Sequence, residues 1–231
     1  MGLLFAFGGF PLILAVLAAV AAFMVVVSLG VDNRHGATSR FSWSDLSPFG
    51  RKRVFYEGCA VLSLGSAVYI PVLYFLLPLY LSASGFSLET IGLLYAGYFL
   101  LMGITMNVLS HKRAESGATA IAGTAIFAIA LLGMAFGGAA LLPYFFLIMP
   151  FGDACLAVIW EEVNYLSVQG SRKRSTDLAV LATPAGLAIF AVSCVAGLVV
   201  SWYGYAPMLV ACAISLAAYS YFALRLKRIA N

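Results

Sequence analysis

The chain has 231 residues, 63% of them apolar and only 10% charged, with a formal net charge of +4 and a mean hydropathy of +1.02. A soluble domain is about 45–50% apolar and about 25% charged, so this composition excludes one and places the chain in a membrane. At about 20 apolar residues per crossing, roughly six to eight helices fit, and no soluble domain of any size fits beside them.

Seven mostly apolar runs are long enough to cross, over about 2–29, 57–82, 88–110, 117–140, 143–168, 178–201 and 203–224. The runs are long and continuous, which predicts helices; barrel strands are short and alternate. The first run has no Lys or Arg before it and is too long for a signal-peptide core, so it reads as a retained helix. Segment 31–56, VDNRHGATSRFSWSDLSPFGRKRVFY, is the longest polar stretch. With Phe41, Trp43, Leu46 and Phe49 ahead of a basic cluster, it is either an in-plane interfacial segment or a linker. The boundary between the fourth and fifth runs, LLGMAFGGAALLPY, never loses its apolar character, and only Gly137, Gly138 and Pro143 mark a turn. Gly133 and Gly137 form a GxxxG, and Gly117, Gly123, Gly186 and Gly197 also fall in or near helices. Such residues let backbones approach closely in lipid, more often for packing within a bundle than for dimerisation.

With the N-terminus outside, the inner segments hold Arg34, Arg40, Arg51, Lys52 and Arg53, then Lys112 and Arg113, then Arg172, Lys173 and Arg174, and finally Arg225, Lys227 and Arg228. All thirteen basic residues then lie on one side. The positive-inside rule makes that side cytoplasmic, in an inner or plasma membrane, with the C-terminus inside. The excess positive charge answers anionic inner-leaflet lipid. No basic patch is interleaved with base-stacking aromatics, so nucleic acid is not an expected partner. The four cysteines show no CxxC spacing, which gives no metal or disulfide signal. No HExxH, P-loop or dinucleotide fingerprint is present, so neither an enzyme nor a cofactor is expected. The two histidines, His35 and His111, fall in inner loops.

The layout is one helix, a long basic loop, then three helices and three more with short outer and basic inner connections. SASGFSLETIGLLYAGYFLL (82–101) has the form of an outer loop and the following helix start. Gly103, Asn107, Lys112 and Arg113 form a reduced copy of a basic inner-loop motif, with Asn107 where that motif carries Asp. GSRKRSTDLAVLATPAGLAIF (170–190) has the form of the inner loop two helices later. In these features the chain resembles the carboxy-terminal six-helix half of a major facilitator superfamily transporter plus the helix before it. The resemblance implies an all-α polytopic bundle of about seven transmembrane helices, divided into a first helix (1–30), a cytoplasmic loop (31–56), a six-helix bundle (57–224) and a short cytoplasmic tail (225–231). A complete member of that family has two such halves. The implied partner is therefore a second copy or a second membrane subunit, unless the chain is a fragment.

The stretch PFGDACLAVIWEEVNY (150–165) carries three acids in a very apolar region. Asp153 lies within ~5 Å of the middle of the fifth span at 1.5 Å rise per residue. An ionised carboxylate there costs about 2.5–3.5 kcal/mol or more unless it is protonated, paired or wet. Pro150 and Gly152 beside it predict a kink, a common way to build a site in a broken helix. In the family resembled, this helix lines the central cavity. Asp153 is therefore the leading proton or substrate site, with Glu161 and Asn107 as further candidates. The alternative is a protonated Asp153 bonded to a neighbouring helix, with Asn107 or Ser193 as partner. At 100° per residue, Glu161 lies about 80° from the Asp153 face and Glu162 about 180° away. Glu161 is thus able to share a wall with Asp153, and Glu162 faces elsewhere. The expected partners of these two acids are Arg172 to Arg174 or Arg51 to Arg53, as an inner gate or as static headgroup-level pairs; Glu57 is treated the same way, or favours its helix dipole. Tyr56, Tyr69, Tyr74, Tyr95, Tyr98, Tyr165 and Trp160 fall in helices expected near a cavity, where aromatics line a drug or sugar site or serve as interface and core. The reading is secondary transport of a small solute, proton-coupled, by alternating access. The rivals are a non-transporting membrane sensor and an accessory subunit of a membrane complex.

Overall fold

The computed structural model describes residues 15–16, 18–26, 46–47, 49–112, 116–171 and 173–230, with side chains at all of these except 111, 112 and 116. All regular structure among them is helical. Of the first expected span, positions 15–16 and 18–26 are helical; the rest of it, Phe41, Trp43 and Arg172 lie outside the described residues.

Among the described residues, six helical spans are long and apolar enough to cross a membrane. The first contains α1 (Arg53–Pro71), a π-helical turn (Val72–Leu76) and α2 (Leu77–Ala83). It is followed by α3 (Leu88–Lys112), α4 (Ser116–Phe136), α5 (Leu142–Val168), α6 (Arg174–Tyr203) and α7 (Tyr205–Ala230). The chain is a polytopic helical membrane protein. Its backbone groups pair within each helix, which is what a medium without hydrogen-bonding solvent requires. The connections turn on glycines in the left-handed region, such as Gly138 (φ 76°) and Gly204 (φ 79°), where a side chain is disfavoured. Residues 225–230, read above as a tail, continue α7 as helix.

Lipid supplies no hydrophobic drive to pack helices, so close backbone approach and interhelical hydrogen bonds hold the bundle. Helices α4 and α5 cross where Gly123 faces Gly152. A Cβ on Gly152 would stand 2.7 Å from the Gly123 carbonyl oxygen and 2.7 Å from the Phe127 nitrogen. Gly133 of the GxxxG receives the Phe145 ring of α5, so this motif packs within the chain. Gly65 of α1 receives the Tyr219 ring of α7. Ser215 donates to the Leu64 carbonyl at 3.0 Å, and Thr124 and Ser220 share a hydrogen bond between α4 and α7.

Two spans stand apart from this core. Only 17% of the most apolar stretch of α3 and 11% of that of α6 are buried. Helix α3 rests on α5 and α6 rests mainly on α1, and a cleft lies between them. The segment leading into α1 is docked: the Arg51 guanidinium pairs with Asp177 in the first turn of α6 and stands 4.6 Å over the Phe55 ring.

Candidate functional site

Asp153 is 5% exposed and is held by two phenols. Tyr98 of α3 donates to its Oδ2 at 2.6 Å, and Tyr69 of α1 donates to the same oxygen at 2.8 Å. Each phenol is positioned by packing. Tyr98 is fully buried against the Phe146 ring, 5.4 Å between centroids. The Tyr69 ring meets Phe127 edge-on at 5.7 Å. One carboxylate oxygen thus ties three helices together. The other oxygen, Oδ1, accepts no hydrogen bond among the described residues and is not among the fully sealed polar atoms.

Asp153 lines the cleft together with residues of α1, α3, α5, α6 and α7; its volume is about 440 Å³. Met102, Met106, Trp160 and Ile189 form much of the apolar wall, and Glu161 stands on the same lining. A second recess shares Trp160, Glu161, Ala182 and Ala185 with the first and continues past Asn164 and Tyr165 to Arg174. Together the two form a groove from mid-depth to the end of the bundle that carries the basic residues. Glu161 stands partway along it, exposed, and makes no ion pair among the described residues.

Several expected contacts are different. Neither Asn107 nor Ser193 is the partner of Asp153. Asn107 is exposed on α3, on a face turned from the cleft that Met102 and Met106 line, and its carbonyl accepts from Ser110. The Ser193 hydroxyl donates to the Ile189 carbonyl of its own helix at 2.8 Å. Glu162 does face away from Asp153, but its partner among the described residues is Lys227 at 2.7 Å, on the last helix and not in either expected basic cluster. Because α7 stays helical to Ala230, Lys227 runs alongside the inner end of α5. Glu57 pairs with Arg53 one turn earlier at 2.7 Å. Arg174 lines the lower groove.

A non-α turn lies in another span. Helix α5 is α-helical from Leu142 to Val168, across Pro150. Gly152 is a contact glycine clamped on Gly123. The distorted turn is Val72–Leu76, directly after Pro71 and one turn beyond Tyr69. A π turn leaves a carbonyl without its usual partner, and such turns are frequent at functional sites. Here the Tyr95 hydroxyl donates to the Leu73 carbonyl, and the Tyr95 ring packs on Phe146 at 4.9 Å.

The sequence reading placed Tyr69 and Tyr98 near a cavity but did not join them to Asp153. A signal was available: each of the three lies near the middle of its own span, so matched depth alone puts them at one level. No family model, curated protein or solved structure matches the chain. The fold and site therefore define its class, a helical membrane protein with a buried carboxylate on an internal groove, and its function is argued from that groove.

Proposed function

We propose that the chain acts in secondary transport of a small solute by alternating access, with Asp153 as the proton- or substrate-binding carboxylate and Glu161 on the route to it. The observation that carries this reading is the groove itself. It reaches a mid-depth acid whose one oxygen is fixed by two phenols while the other stays open. An ionisable group at that depth is a functional site by default, and a static structural acid would be expected to have both oxygens satisfied. In this reading the basic end of the bundle is cytoplasmic, by the positive-inside rule. The chain works as one half of a major-facilitator-type pair, with a second copy or a second membrane subunit closing the groove.

The test needs no knowledge of the substrate. Gly186 lines the cleft, and a side chain added there meets nothing within 4 Å. Gly186→Cys, in a chain whose own cysteines are replaced, should react with membrane-impermeant thiol reagents from both sides of sealed vesicles. Labelling from one side only, under every condition, rejects alternating access. Once a solute is identified, Asp153→Asn should abolish proton coupling, and uptake with an unchanged pH dependence would reject the site.

A second reading has one observation in its favour. Helix α6 is the least buried of the described spans, and its Gly197, away from the cleft lining, has open space around it, as on a helix that packs against another membrane protein. An accessory subunit would be recovered by native mass spectrometry in a heteromeric complex, and its deletion would remove that complex with no transport phenotype.

A further inference from the structure

The groove also carries information about what it takes. Its mid-depth cleft has two carboxylates, Asp153 and Glu161, and no Lys or Arg on its lining. An anion is therefore excluded by charge. A sugar-like solute needs many paired donors and acceptors, and this lining is dominated by Met, Leu, Ile, Ala and aromatic side chains. An inorganic divalent cation needs several oxygen ligands. Asp153 has already committed one oxygen to two phenols, and no group of three or more His, Cys, Asp or Glu side chains is gathered among the described residues. A large organic cation needs much less: one opposing charge, apolar walls and aromatic faces.

A further observation points the same way. Tyr219 lines the cleft and is 2% exposed; its hydroxyl is sealed within the bundle, with no hydrogen-bond partner among the described residues. Its ring lies 6.3 Å from that of Trp160, so two electron-rich rings share the cleft with Asp153. A volume of about 440 Å³ falls in the range of small-molecule sites, roughly 300–1,000 Å³.

We propose that the cleft binds a lipophilic organic monocation, with its charge against the open Oδ1 of Asp153 and its body between Trp160, Tyr219, Met102 and Met106. Glu161 raises the local concentration of such cations along the groove. The proposal rests on the transport reading and names the substrate class of that same site.

Tetraphenylphosphonium and tetraphenylborate, close in shape and opposite in charge, are the probes. Saturable binding of each to the purified full chain in detergent is measured by equilibrium dialysis. Tetraphenylphosphonium should bind, and at least about 10-fold more weakly to Asp153→Asn, as expected when one member of a desolvated charge pair is removed. Glu161→Gln should weaken it several-fold. This second variant guards against misfolding of the first, because Glu161 is exposed and its amide fits the same space; circular dichroism checks both. Saturable tetraphenylborate binding of similar strength, no saturable tetraphenylphosphonium binding, or affinity indifferent to both substitutions overturns the proposal. Failure here with Gly186→Cys labelled from both sides rejects only the substrate class. Asp153-dependent cation binding with one-sided labelling rejects transport and retains the cation site.

Discussion

Removing the hydroxyl of Tyr98 tests how the buried acid is held. Tyr98 is fully buried and its donor stands 2.6 Å from Asp153 Oδ2, so in Tyr98→Phe no water has room to take its place. A hydrogen bond to a charged group is worth about 1.5–3 kcal/mol. Interhelical hydrogen bonds in a membrane protein average only about 0.6 kcal/mol, because the unfolded chain in the membrane also finds partners. The two figures separate two states of Asp153. If two phenols converge on one oxygen because it carries charge, a double-mutant cycle of Tyr98→Phe with Asp153→Ala should give a coupling of at least about 1.5 kcal/mol. The measurement is reversible unfolding in mixed micelles at alkaline pH, followed by tryptophan fluorescence. Tyr69→Phe should couple more weakly, since Tyr69 is only partly buried and lines the cleft, where water can replace its hydroxyl. A Tyr98 coupling at or below about 0.6 kcal/mol, or a stronger coupling for Tyr69, would refute the picture of a phenol-held carboxylate.

Three further outcomes follow from the packing. Gly152→Ala should destabilise the bundle by about 1–3 kcal/mol, because its new methyl meets backbone atoms of Gly123 and Phe127 that cannot swing aside; Gly186→Ala, with nothing within 4 Å, should unfold as the wild type does. Tyr95→Phe should lower stability by about 1–3 kcal/mol by leaving the Leu73 carbonyl of the π turn without its side-chain donor, read as a loss of unfolding free energy in the same micelles. Glu162→Gln should lower stability by no more than about 1 kcal/mol, since its pair with Lys227 is about one-third exposed. An inner-gate role would show instead as a changed rate of Gly186→Cys labelling from the basic end, with stability unmoved.

Much of this architecture is local and therefore legible along the chain. Hydropathy sets which segments enter the membrane, and the need to pair every backbone group there makes them helices. That reasoning located the six described apolar spans and the position of Asp153 near the middle of its own span. Helical periodicity alone separated Glu161 from Glu162: one lines the groove with Asp153, and the other turns toward Lys227. What the sequence left open depends on which helices become neighbours. Tyr69 and Tyr98 stand 84 and 55 residues from Asp153, and nothing in their local pattern records that α1 and α3 converge on α5. Gly152 reads as a hinge beside Pro150 until Gly123 of α4 is set against it, when it becomes a contact point. Lys227 reads as part of a short cytoplasmic tail until α7 carries it alongside Glu162. In each case the residue's depth or angle is a property of one helix and follows from composition and period. Its partner is a property of two, and only the packing of the bundle decides it.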